Sequence, residues 1–136
     1  MVIDPKNEPD GVIFILIHPD STVLLQLRDS NSKYFPNMWV FPGGSCDDGE
    51  DHISACVREA EEEFEAGLNP NNCTLLMKRL NDKNWVYVCP IDNSKKLVLH
   101  EGADFGWKTI EEIKDLDLGY EQSDIVGPLE DFLQRK

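Results

Sequence analysis

The longest unbroken apolar run in the chain, Val12-Ile13-Phe14-Ile15-Leu16-Ile17, sets the terms of the fold. It is far too short to span a bilayer, and its β-branched residues read as a core strand. His18-Pro19-Asp20-Ser21 supplies turn chemistry before a second apolar stretch, Thr22 to Leu27, so the chain opens as strand, turn and strand. Residues 1–10 are polar and carry two prolines, and they read as a loose lead-in to a single domain over 11–136.

A polar loop over 29–38 leads to Trp39-Val40-Phe41, a short strand broken by Pro42-Gly43-Gly44. Asp51 begins a helical pattern running to about Ala66, with Gly67 and Asn69-Pro70 as its stop signals. Ile53, Val57, Ala60 and Phe64 form a narrow apolar stripe on that helix and are its expected core face. Further strands are expected at about 73–80, 84–91 and 96–100, the last two separated by Asp92-Asn93-Ser94. Helices at about 109–114 and 122–134 complete a mixed α/β pattern.

Charge narrows the function. The chain has 26 acidic against 13 basic side chains, a net charge of −13, which repels polyanions and argues against nucleic-acid or anionic-membrane partners. Such a protein concentrates cations, and through metal it can reach phosphate. Cys46, Cys56, Cys73 and Cys89 show no C-x-x-C pairing and read as free thiols of a reducing compartment. The first residues hold no basic segment followed by a signal-type apolar run, so a cytoplasmic protein is expected.

On an ideal helix Glu59, Glu62 and Glu63 share an arc of about 100°, because their spacing is i, i+3, i+4. Glu61 and Glu65 fall on the other flank. If the three carboxylates are partly buried, each like-charge pair costs on the order of 2–3 kcal/mol and calls for a cation. If they are solvated, each pair costs about 0.2–0.5 kcal/mol and needs none. Both readings stand on the glutamates alone. The preceding Phe41-Pro42-Gly43-Gly44 places two glycines at an expected sharp turn, where backbone can approach a ligand and turn a carbonyl to it. Hard cations such as Mg²⁺ or Mn²⁺ take such oxygen ligands.

These residues carry a resemblance. Gly44, five residues, Glu50, seven residues, then Arg58-Glu59-Ala60-Glu61-Glu62-Glu63 resembles the Nudix box, G-x5-E-x7-R-E-U-x-E-E-x-G-U, where U is a bulky apolar residue. Leu24-Leu25-Gln26-Leu27-Arg28-Asp29 and Met38-Trp39-Val40-Phe41-Pro42-Gly43-Gly44 resemble the family's approach to the box, and His100-Glu101-Gly102-Ala103-Asp104-Phe105-Gly106-Trp107 a downstream segment supplying a further glutamate. The likeness covers roughly residues 11–134. One departure stands out: the family has glycine and an apolar residue where this chain has Glu65 and Ala66, with Gly67-Leu68 following. A helix running longer before its cap is the expectation.

The resemblance implies a Nudix α/β/α sandwich with a mixed central sheet. It implies metal ligation by Glu59, Glu62 and Glu63, with the Gly43 carbonyl and Glu101 as further ligands, and a general base in Glu63 or Glu101. Arg58 is expected to orient the carboxylates and Glu50 to support the loop and helix start. Gly43, Gly44 and Arg28 are the expected substrate contacts, with Lys33 a weaker candidate; the rival reading of Arg28 is a plain surface arginine. Tyr34, Phe35, Trp85, Tyr87 and Tyr120 are able to stack on a base or sugar, but such aromatics more often pack in cores and none is assigned a role. His18 and His100 lack partners at metal-ligand spacing.

The implied activity is Mg²⁺- or Mn²⁺-dependent hydrolysis of a diphosphate linkage in a small nucleoside diphosphate derivative, by a monomer or homodimer. Nucleoside triphosphates, nucleotide sugars and dinucleotides all fit. Gly119-Tyr120-Glu121-Gln122-Ser123-Asp124 stands where members that clean the nucleotide pool often place a purine-reading asparagine, which weakens that one assignment. The rivals are a non-catalytic Nudix-fold module that senses a nucleotide, and an acidic interaction domain with solvated glutamates.

Overall fold

A computed structural model describes residues 10–79, 83–92 and 96–135. The expected lead-in therefore lies, save for Asp10, outside the described residues. Seven strands form one mixed sheet: β1 Gly11–Ile17, β2 Val23–Leu27, β3 Trp39–Val40, β4 Gly43–Ser45, β5 Thr74–Lys78, β6 Asn84–Pro90 and β7 Asp104–Lys108. Three α-helices pack on it: α1 His52–Phe64, α2 Ile110–Lys114 and α3 Ser123–Gln134. The fold is α/β, as expected.

β1 explains its own unbroken apolar sequence. It pairs in parallel with β6 along all seven residues and is covered on both faces. Val12, Phe14 and Leu16 meet the layer built on α1, whereas Ile13, Ile15 and Ile17 meet the layer built on α2 and α3. A strand buried on both sides has no use for polar alternation.

On its other edge β1 touches β2 only at Ile17–Val23, after which the two strands part. β4 fills the gap along the start of β1, with Gly11, Val12 and Ile13 opposite Ser45, Gly44 and Gly43. The glycines thus continue as a strand instead of forming the expected sharp turn. The direction changes one step earlier: β3 pairs with β2, and Phe41-Pro42 then carry the chain across to β1, where the Pro42 carbonyl accepts from the Phe14 N–H at 3.0 Å. Proline, lacking an N–H, suits a crossing where that donor has no ladder partner.

Two further expectations are corrected. Residues 96–100 are not a strand; the Val98 and His100 N–H groups instead cap the last carbonyls of α1, those of Phe64 and Glu63, at 2.9 Å each. A helix end leaves such carbonyls without internal partners, which is why an extended segment docks there. Asn93 and Ser94 of the turn expected before that segment lie outside the described residues. Nor does α1 run on to Ala66. It stops at Phe64, and Glu65 takes the left-handed conformation (φ 52°, ψ 45°) that the family fills with glycine.

The face of α1 turned to the sheet also differs from the expected stripe. Ala55, Cys56, Ala60, Glu63 and Phe64 are buried, while Ile53 and Val57 are only half-buried. The burial centres near Cys56 and Glu63, about 70° round from the apolar stripe. Glycine in β4 is the physical reason, because a strand without side chains lets the carboxylate flank of the helix come down against it.

Candidate functional site

Where β1 and β2 part, a cleft of about 420 Å³ opens. Its floor is the start of β1 with Gly43, Gly44 and Ser45; Glu63, Glu101 and Gln26 stand on one side, and Arg28, Arg79, Tyr120 and Gln122 on the other.

Ladder geometry fixes the glycine strand's carbonyls. Phe14 donates to Pro42, and Cys46 donates to the Asp10 carbonyl at 2.8 Å, so positions 42, 44 and 46 face β1. Alternation along an antiparallel pair then turns the Gly43 and Ser45 backbone groups to the opposite edge. The Ser45 carbonyl on that edge accepts from Arg58 of α1 at 2.9 Å. Gly43 thus offers a carbonyl oxygen on the side of the acidic helix. Gly44 lies so close beneath Glu59 that a β-carbon there would sit 2.3 Å from the carboxyl carbon.

Arg58 ties this corner together. Its guanidinium donates to both Glu50 oxygens at 2.9 Å and to Glu59 at 2.9 Å, and it reaches Glu62 at 3.3 Å. Arg58 starts from a helical position that projects away from the carboxylate face, and its side chain curls back across Glu59 and Glu62. Hydrogen bonding to Arg58, and then to the Asp47 N–H, holds the Glu50 carboxyl down to about 2.

The three helix glutamates differ in burial, although Glu59 and Glu62 share the Arg58 guanidinium. The Glu62 side chain is 58% exposed and points outward, whereas that of Glu59 is 16% exposed. Glu63 is only 4% exposed, and its Oε2 is buried with no hydrogen-bond partner. Burial, and then repulsion from Glu101 and Glu59, pushes the Glu63 carboxyl up to about 9. Burial likewise raises Glu59, against the pull of Arg58. Glu101 joins them on the same side of the cleft, its carbonyl accepting from Gln26 Nε2 at 2.7 Å. Gly102 beside it bends at φ +87°, and a β-carbon there would press on the Leu27 carbonyl at 2.8 Å.

Among the described residues no three acidic, imidazole or thiol side chains form a ready-made cation cage. The donor set nevertheless fits a hard cation. Glu59, Glu63 and Glu101 crowd negative charge against a backbone carbonyl, and an orphaned, buried carboxylate oxygen is costly unless a proton or a cation meets it.

Arg28 lines the cleft, its Nε donating to the Tyr34 carbonyl at 2.8 Å and its guanidinium lying 5.1 Å from the Tyr120 ring centre. Lys33 lies over the Tyr34 ring, away from the cleft lining. His18 packs edge-on to Trp107, and His100 contacts Glu65.

Three lining residues escaped the sequence reading. Gln26 had a signal, being the one polar residue within Val23-Leu24-Leu25-Gln26-Leu27. Gln122, buried, grips the Phe41 backbone through both amide atoms, at 2.7 and 3.2 Å. Arg79, fully buried at the end of β5, donates to the Tyr120 carbonyl at 2.8 Å and meets Asp124 at 3.3 Å. Neither had a local signal, since their partners lie about 40 to 80 residues away.

A family model described as NUDIX domain matches residues 8–126. The RNA pyrophosphohydrolase of Pelagibacter ubique is 39% identical over 54 residues, 40% of this chain and 32% of that protein. The m7GpppN-mRNA hydrolase of Danio rerio is 37% identical over 68 residues, 49% of this chain and 23% of that protein. The chain therefore matches about a third or less of the length of these curated relatives. Among solved structures, the NUDIX domain of Shewanella oneidensis NrtR complexed with ADP ribose superposes with a TM-score of 0.74 at 19% identity, covering 96% of this chain and 94% of that one.

Proposed function

The chain belongs to the NUDIX family, and on that premise we propose that it is a divalent-metal-dependent hydrolase cleaving the diphosphate linkage of a nucleoside diphosphate derivative. The observation that carries this reading is the buried Glu63, with its unpartnered oxygen, set between Glu59 and Glu101 at the cleft beside the Gly43 carbonyl.

Glu59, Glu63 and the Gly43 carbonyl would hold Mg²⁺ or Mn²⁺, with Glu62 at the exposed edge of the same cluster. When bound, such a cation neutralises phosphoryl oxygens and makes water more acidic. Arg58 holds Glu59 toward Gly44, and Glu50 anchors Arg58 in turn. Glu63 sits too deep to exchange protons readily with solvent. Glu101, exposed at the cleft, is the better placed of the two expected bases to take a proton from attacking water. Arg28 offers its remaining guanidinium N–H groups to phosphate.

Net charge favours a small substrate over a long polyanion. The four cysteines are unbridged and three of them are buried, which suits a cytosolic setting. No helix among the described residues is long and apolar enough to cross a membrane.

The test is a phosphate-release screen over nucleoside triphosphates, nucleotide sugars, dinucleotides and 5′-triphosphorylated or capped RNA, with Mg²⁺, Mn²⁺ or EDTA. We expect divalent-dependent turnover of at least one small compound, lost by about 10²–10⁴-fold in Glu101→Gln with divalent affinity retained. Ligand binding without turnover under every condition would instead support the non-catalytic module.

A further inference from the structure

Glu65 is where this chain parts from its family, and its cost and its contact point the same way. The position adopts φ 52°, a left-handed backbone that glycine takes freely and a glutamate does not. The carboxylate of this strained residue meets His100 Nε2. His100 is the neighbour of Glu101. Its N–H is tied to the Glu63 carbonyl at 2.9 Å, so the segment entering the cleft is fastened to the end of α1 through backbone and side chain together. Beyond Glu101 the restraint passes to β2, through Gln26 on the Glu101 carbonyl and the Ala103 N–H on the Leu27 carbonyl at 2.9 Å. Leu97 and Leu99 also pack against the core cluster containing Ala60 and Phe64, and the Glu65 contact adds a polar side-chain tie next to Glu101.

We infer that Glu65 and His100 are positioning residues: their side-chain contact, made at the cost of a left-handed glutamate, sets Glu101 in the cleft beside Glu63. This rests on the proposed hydrolase reading, and it predicts that stability and function move apart. Both side chains are nearly half exposed, so the effect is modest.

The experiment compares Glu65→Gly, His100→Ala and Glu65→Gln with wild type by steady-state kinetics, by melting and by amide hydrogen exchange without metal. Glu65→Gly restores the family residue and relieves the backbone, so its Tm should lie about 2–4 °C above that of His100→Ala, which keeps the strain and loses the contact. Both should lose about three- to tenfold in kcat with KM within about twofold, and both should exchange the His100 and Ala103 amides faster. Glu65→Gln, which can still hydrogen-bond His100, should stay within about twofold of wild type. Wild-type kcat in Glu65→Gly, a loss in Glu65→Gln as large as in Glu65→Gly, or unchanged exchange in both contact-breaking variants would each overturn the inference. If wild type itself turns over nothing, the hydrolase reading fails, and the exchange measurement still decides whether the contact holds the segment.

Discussion

Replacing Glu63 by glutamine keeps the size of the side chain and removes its charge, which isolates what burial does to this carboxyl. In the cation-free protein the group ionises at about 9, against 4.5 for an ordinary glutamate, with burial the first cause and Glu101 and Glu59 adding repulsion. The folded state therefore keeps a proton that the unfolded chain has released. The protonated form contributes its stability fully below the unfolded value, and that contribution is lost as pH rises toward 9. Each pH unit in that window is worth about 1.4 kcal/mol, so from about pH 5 to pH 7 wild type should lose on the order of 3 kcal/mol relative to Glu63→Gln. Against a typical domain stability of about 5–15 kcal/mol this is readily measured. The assay is urea unfolding of both proteins in EDTA between pH 5 and 9, read as the difference between their unfolding free energies, so that background repulsion cancels. Excess Mg²⁺ should return the lost stability to wild type and not to the variant, since only the ionised carboxylate gains from the cation. A difference flat to within about 0.5 kcal/mol across the whole range would mean that Glu63 ionises normally, and the reasoning from its burial would fail.

Neighbouring glycines should respond in opposite ways. Gly44→Ala pushes a β-carbon onto the movable Glu59 carboxylate, so it should change stability by less than about 1 kcal/mol while weakening the Mg²⁺-dependent thermal shift at least about tenfold in apparent affinity. Gly43→Ala meets the Val12 backbone oxygen at 2.2 Å and should cost about 1–3 kcal/mol in urea unfolding. Arg58→Gln removes the partner that holds Glu50 down to about 2. The stability that Glu50 contributes is present above its ordinary value of 4.5 and is lost as pH falls toward 2, so acid-unfolding curves should be shallower in the variant over that window.

The strands β1 and β2, both later helices and the start of α1 were legible because each is written locally. An apolar β-branched run, a turn cluster and an Asp51 cap accepting from Ser54 at 2.7 Å all act within a few residues. The box likewise named most of the acidic groups that line or border the cleft. What sequence spacing could not supply was rotation. Ile53 and Val57 are as apolar as a core face requires, yet α1 turns Glu63 inward, because the space beneath it is set by glycines on a strand whose own neighbour is β1.

By itself, then, the chain's order of residues determined its family, its α/β class and the short list of oxygens proposed to meet a cation. The tertiary structure alone decided that Glu62 faces solvent, that Glu101 arrives from a capping segment and not a strand, and that Arg79 and Gln122 brace the opposite wall. The division has one cause. Propensity and periodicity act over a turn or two of backbone, whereas burial and charge depend on which distant segments come to lie within a few ångströms, and only packing sets that distance.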